Sequence, residues 1–229
     1  GRVASLRDSI TTATRNFDNA WETKTLSNQR QWCTLIHPQD IDQTNMALTI
    51  SNITSVFNNE HKFPEMDAYC ISKIYADWTA LEKTADTTAL TAANILTKFD
   101  SMMQTMTEKR VPLSGRILYV IPSVMTLLKT ASGLTRSIDS SGAEGGRINR
   151  TVTMLDGVQV VEVPSELMKT SYTFTSGWAA ATDAKQIQML LIHPESVITP
   201  VSYTFAQLDE PSALTGGKYV YFEESFEDV

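Results

Sequence analysis

Cysteine is scarce in this chain, with two in 229 residues, Cys33 and Cys70, too few for a disulfide framework. Both fall inside apolar patterns, so they are expected to be reduced core residues. Long apolar runs are also lacking. The longest lies near 187–192, far short of the roughly 20 residues that span a bilayer, so no membrane segment is expected. No basic stretch followed by an apolar one opens the sequence, so no secretion signal is expected. Positive charge is in deficit: 19 Lys and Arg against 26 Asp and Glu give a net charge of −7. A domain that grips nucleic acid neutralises phosphates with a basic face, and this balance argues against one.

Catalytic signatures are missing as well. The glycines of the 142–147 loop lack the lysine–serine ending of a phosphate-binding loop and the G-x-G-x-x-G spacing, and they follow Asp139-Ser-Ser rather than a strand. A flexible loop is the plainer reading. No G-x-S-x-G elbow is present for a nucleophilic serine. His37, Asp40 and Asp42 admit two readings, a metal or acid–base cluster, or carboxylates placed before a helix start where they favour the macrodipole. Capping is the simpler one. His61 and His193 stand apart from other ligand types and are expected in a polar helix end and a turn, while Met102, Met103 and Met106 are expected in packing. No enzyme, cofactor or metal site is expected.

What is there is a chain of ordinary globular composition, 42% apolar and 20% charged. Residues 1–30 carry apolar side chains too widely spaced for a core, so they are expected to order only against a neighbour. Residues 30–36 predict a strand ended by His37-Pro38. Met46, Ile50, Ile53 and Phe57 recur at helical spacing, with Thr44 or Asn45 able to cap. A second helix is expected to begin near Pro64-Glu65, with the stripe Met66, Cys70, Ile74, Trp78 and Leu81. After a linker over 83–88, Ile95, Phe99, Met102, Met103 and Met106 predict another amphipathic helix. Residues 116–121 predict a buried strand; a short helix follows Pro122 with the stripe Val124, Leu127, Leu128 and Ala131, and Gly133 sits at its expected cap. Further strands are expected at 157–163, 187–192, 197–205 and 219–222, making an α+β protein.

Six blocks in fixed order carry a family resemblance. Trp21-Glu-Thr-Lys-Thr, Arg30, Asp40-Ile-Asp42 through Asn45, and Pro64-Glu-Met-Asp-Ala-Tyr69 resemble the W-E-T-x-T-L, D-x-D-E-T-N and P-E-x-D-A-Y segments of tailed-bacteriophage major capsid proteins. Gln43 stands where that family usually has Glu, and Gln29 where Asp is common. The stretches 111–122, 155–165 and 190–200 resemble its V-P-x-x-G-R-x-L-Y-V-x-P, D-G-V-x-I-x-x-V-P-S and I-x-H-P-x-A-V blocks, with Ser196 in place of Ala.

The resemblance implies the Hong Kong 97-type fold. Residues 30–83 and 194–229 would form a peripheral domain with a spine helix on long strands. Residues 84–193 would form an axial domain with a small mixed sheet and flanking helices, and residues 1–29 an extended loop or arm remnant. Relatives carry an arm upstream and a strand beyond residue 229, so the chain is expected to be trimmed. The implied function is structural: self-assembly into the hexamers and pentamers of an icosahedral head enclosing double-stranded DNA without specific binding. It would be built in the bacterial host cytoplasm and found in the virion, with scaffold, portal and decoration proteins as further partners. An acidic lining would leave enclosed DNA mobile, which agrees with the net charge. Arg7, Arg15, Phe17, Trp21, Arg136 and Arg147 are the candidate intersubunit contacts. An encapsulin-like nanocompartment shell is the alternative within the fold, and a soluble α+β ligand-binding or enzyme domain the alternative outside it.

Overall fold

The computed structural model describes residues 19–21, 23–43, 50–132, 138–139, 147–148 and 152–229. In chain order the strands are β1 (Asn28–Ile36), β2 (Ile117–Val120), β3 (Ile138–Asp139), β4 (Arg147–Ile148), β5 (Met154–Leu155), β6 (Val158–Glu162), β7 (Tyr172–Thr173), β8 (Ala179–Ala180), β9 (Met189–Ile192), β10 (Val201–Asp209) and β11 (Tyr219–Glu227). The α-helices are α1 (Pro38–Gln43), α2 (Ile50–Phe57), α3 (Phe63–Ala80), α4 (Ile95–Glu108) and α5 (Pro122–Thr130). The expected cap residues Thr44, Asn45 and Gly133 lie outside the described residues.

The main core forms where a four-stranded mixed sheet, ordered β5-β6-β2-β9, meets α4 and α5. Leu118, Val120, Val158 and Val160 alternate along β2 and β6, so the pleat turns all four to one face. There they pack with Ile95 and Phe99 of α4 and Val124, Met125 and Leu128 of α5. β2 and β6 run parallel, and α5 lies in the connection between them. β6 is reached from β5 by the two-residue turn Asp156-Gly157, with φ of 49° and 79°. Asp-Gly suits a turn in which both central residues take positive φ.

Arg116, expected in an apolar strand, is 1% exposed at its start. Its guanidinium donates to the carbonyls of Met103, Val111 and Pro112 and to Thr107 Oγ1, which ties α4 to the turn that follows it and gives the buried charge its partners. His193 is also buried rather than superficial: Nδ1 accepts from the Glu195 amide, and Nε2 lies 3.1 Å from the Ser114 carbonyl oxygen.

The second sheet is antiparallel, ordered β1-β11-β10, and α3 with its approach lies against one face. In place of two helices meeting at Pro64, the backbone stays helical from Ile50 to Ala80 through a π-helical turn at Asn58–Lys62. Proline lacks an N–H and crowds the carbonyl four residues back, and the widened turn just before Pro64 accommodates both. The buried stripe also differs from expectation. Ala68 and Ser72 are buried on α3, whereas Trp78 is 38% and Leu81 70% exposed.

Candidate assembly surface

Register decides what each residue of the three-stranded sheet faces. Directly paired residues share a face, so Arg30, Trp32, Glu223 and Ser225 point one way, while Gln31, Cys33, Leu35, Phe222, Glu224 and Phe226 point the other. The first face is covered. Trp32 stacks on Phe57 with ring centroids 4.0 Å apart, Arg30 pairs with Glu65, and Lys62 pairs with Glu223. Burial works to raise the Glu223 carboxyl, but Lys62 and the Tyr221 hydroxyl hold it below its usual value. Tyr221 itself is pushed up to about 12 by burial and by Glu223.

Among the described residues, no helix lies on the second face. Tyr203 and Phe205 of β10 join it by register with Phe226 and Glu224. Tyr203 meets Phe226 edge-on at 5.7 Å, and Phe205 tilts against Phe222 at 6.1 Å, forming an aromatic ladder across β10 and β11. Leu35 is 61% exposed, Tyr203 45% and Phe205 38%. All nine residues of β10 are exposed, and it is an edge strand, so its outer backbone row faces outward too. The connection to β11 ends in a turn held by Ser212 and Thr215, with Leu214 wholly exposed at its tip.

A polar knot ties this sheet to the chain entering it. Asp228 accepts from the Ser27 amide at 2.8 Å, from Ser27 Oγ at 3.0 Å and from the Tyr69 hydroxyl at 2.8 Å. Burial opposes ionisation, but these bonds and the Val229 amide hold the Asp228 carboxyl down at about 2.

The sequence-derived candidates are placed unevenly. Trp21 is 98% exposed. Arg147 belongs to the short β3–β4 ladder, opposite Asp139. Arg7, Arg15, Phe17 and Arg136 lie outside the described residues. Cys33 is not a core residue but sits exposed on the bare sheet face, while Cys70 is half-buried, with its thiol pushed up by burial. Asp40 and Asp42 lie within α1, Asp40 in its first turn, and His37 Nδ1 accepts from the Gln39 amide at the start of that helix. Among the described residues no three His, Cys, Asp or Glu side chains gather as metal ligands. Tyr203, Phe205 and Phe222 fall inside the strands expected at 197–205 and 219–222, but Phe226 lies beyond the second, so the ladder was only partly legible in the sequence. A search for alternating aromatics through residue 226 would have found it.

No family profile and no curated protein matches the sequence. Among solved structures, the chain is similar to one from the asymmetric unit of the bacteriophage PhiM1 mature capsid. The TM-score is 0.59 at 17% identity, over 96% of this chain and 74% of that one. The fold is that of a phage capsid protein. A chain from Mycobacterium phage Che8 also aligns, over 92% of this chain and 71% of that one, at 17% identity and a TM-score of 0.49.

Proposed function

We propose that the protein is a major capsid protein, a structural subunit without catalysis that assembles into the pentamers and hexamers of an icosahedral head around double-stranded DNA. The observation that carries this reading is the capsid fold, aligned over 96% of the chain. The bare sheet face supports it. Apolar area left exposed on a rigid sheet contributes no folding energy to the monomer, yet about 25 cal/mol per Å² becomes available when a neighbour covers it. In this reading residues 30–83 and 194–229 are the peripheral domain, 84–193 the axial domain, and 1–29 an extended segment. Trp21, with Arg7, Arg15 and Phe17 in that segment, reaches a neighbouring subunit, while Arg136 and Arg147 meet others near the ring centre. Heterologous contacts of this kind close into rings. Assembly takes place in the host cytoplasm, scaffold, portal and decoration proteins join the shell, and the net charge of −7 keeps the enclosed DNA unbound.

Negative-stain microscopy of the purified chain over a range of protein and salt concentrations tests the proposal. Shells, rings or polyheads are expected. Uniform small particles under every condition would overturn it.

A further inference from the structure

The free edge of β10 is unlike the other edges of the two larger sheets. β5 is two residues long, β9 is part-buried along its length, and β1 is exposed only at alternate residues, whereas β10 is exposed at all nine. Among the described residues, no strand pairs with its outer side. An unpaired row of N–H and C=O groups templates a further strand, so proteins blunt such edges with lysine, proline, a bulge or a charge in mid-strand. The register of β10 with β11 shifts once, between Val201 and Tyr203, and from Tyr203 to Asp209 the pairing runs without a break. That span, Tyr203-Thr-Phe-Ala-Gln-Leu-Asp209, holds no lysine, arginine or proline, and its single charge is its last residue. Tyrosine, threonine and phenylalanine are also strand formers. The edge is regular, long and unguarded.

We propose that β10 pairs edge to edge and antiparallel with β10 of a second copy, about a two-fold axis through Ala206. The pairing deepens the capsid reading and rests on it for the choice of a second copy. Rings close through heterologous contacts, whereas a contact that joins one ring to the next across a two-fold axis is isologous. Charge favours the antiparallel sense. It sets Asp209 opposite Tyr203, Leu208 opposite Thr204 and Gln207 opposite Phe205, while a parallel pairing in register would set Asp209 beside its own copy. Directly opposite residues share a face, so Tyr203 and Phe205 of both copies lie on one side and the two aromatic ladders join across the axis. The span from Tyr203 to Asp209 supplies about seven inter-strand hydrogen bonds, within the roughly 5–15 that a typical interface carries.

The test is disulfide trapping of the full chain carrying Ala206→Cys, with Cys33→Ser because Cys33 is exposed. Cβ atoms directly opposite in an antiparallel pair lie about 4.5–5.5 Å apart, close enough for a mild oxidant to link the two copies. A linked dimer should be the main species on a non-reducing gel. Leu214→Cys, wholly exposed at the tip of the β10–β11 connection and away from the edge, should link far less at the same concentration. Adding Thr204→Lys with Leu208→Lys sets like charges opposite each other and should abolish the dimer, whereas Thr204→Lys with Leu208→Glu sets opposite charges there and should keep it. Both positions are exposed, so the two pairs of substitutions should leave the melting temperature near that of the wild type. An unlinked Ala206→Cys chain, equal linking of Leu214→Cys, or a dimer that both charge patterns keep or both abolish overturns the pairing. Microscopy of the same samples separates it from the capsid reading. Shells whose Ala206→Cys chains stay unlinked would sink the pairing alone, and linked dimers that form no shells, rings or polyheads under any condition would sink the capsid reading alone.

Discussion

Leu118, Val120 and Val158 of the four-stranded sheet are at most 1% exposed, whereas the three-stranded sheet buries only Ile36 and Ser225, and every residue of β10 is exposed. The strands of the second sheet are longer, nine residues each against two to five, so length does not account for the difference. Coverage does. Two helices close over the short sheet, while one helix covers one face of the long sheet and leaves its aromatic ladder bare. The first region carries its own folding energy, and the second has apolar area in reserve for a partner.

Substitutions should break that contrast in a graded way. Phe99→Ala is expected to have the largest effect, about 3–5 kcal/mol of lost stability in denaturant unfolding, because Phe99 is 1% exposed in the core of the short sheet. An unchanged midpoint would mean that α4 is not part of that core. Arg116→Met should come next, at about 1–3 kcal/mol, since it leaves the carbonyls of Val111, Pro112 and Met103 without their buried donor. Tyr203→Thr combined with Phe205→Thr should cost the monomer only about 1 kcal/mol in cross-strand pairing, yet remove assemblies seen by microscopy. Assemblies at wild-type yield would show that the bare face is not a contact.

The smallest effect is expected at the knot that closes the long sheet. The Asp228 carboxyl titrates at about 2 in the folded chain against 3.8 for the free group, so the folded state holds fewer protons across that window. Its contribution to stability is present above pH 3.8 and is lost as pH falls through about 2. Asp228→Asn should therefore flatten the acid-induced fall in melting temperature over that range. An acid profile identical to wild type would remove Asp228 from the knot.

Much of the short sheet was legible. The apolar runs at 116–121, 157–163 and 187–192 mark β2, β6 and β9, and the spacing of Ile95 and Phe99 marks α4. Leu118, Val120, Val158 and Val160 recur at the two-residue period of a strand with one buried face, and that period is readable without tertiary context. The long sheet was harder to read. Cys33 sits in a pattern that alternates properly, but alternation gives the period and not which face a helix covers. Trp78 fits an apolar stripe, yet that end of α3 has little to pack against. The predicted break at Pro64 missed a backbone solution, the π turn, that no residue type signals on its own.

The sequence by itself determined the α+β class, the main helices, the longer strands and the lack of the catalytic motifs sought in it, because these depend on period, composition and local backbone preference. Only the tertiary structure decided which face of the β1-β11-β10 sheet stays bare, that Arg116 and His193 are buried, and that Arg30, Glu65, Trp178, Glu223 and Glu227 border one cleft. Those residues lie up to 197 positions apart in the chain. Nothing local links them, and they meet because β11 pairs antiparallel with β1, which brings the two ends of the sequence to the same helix.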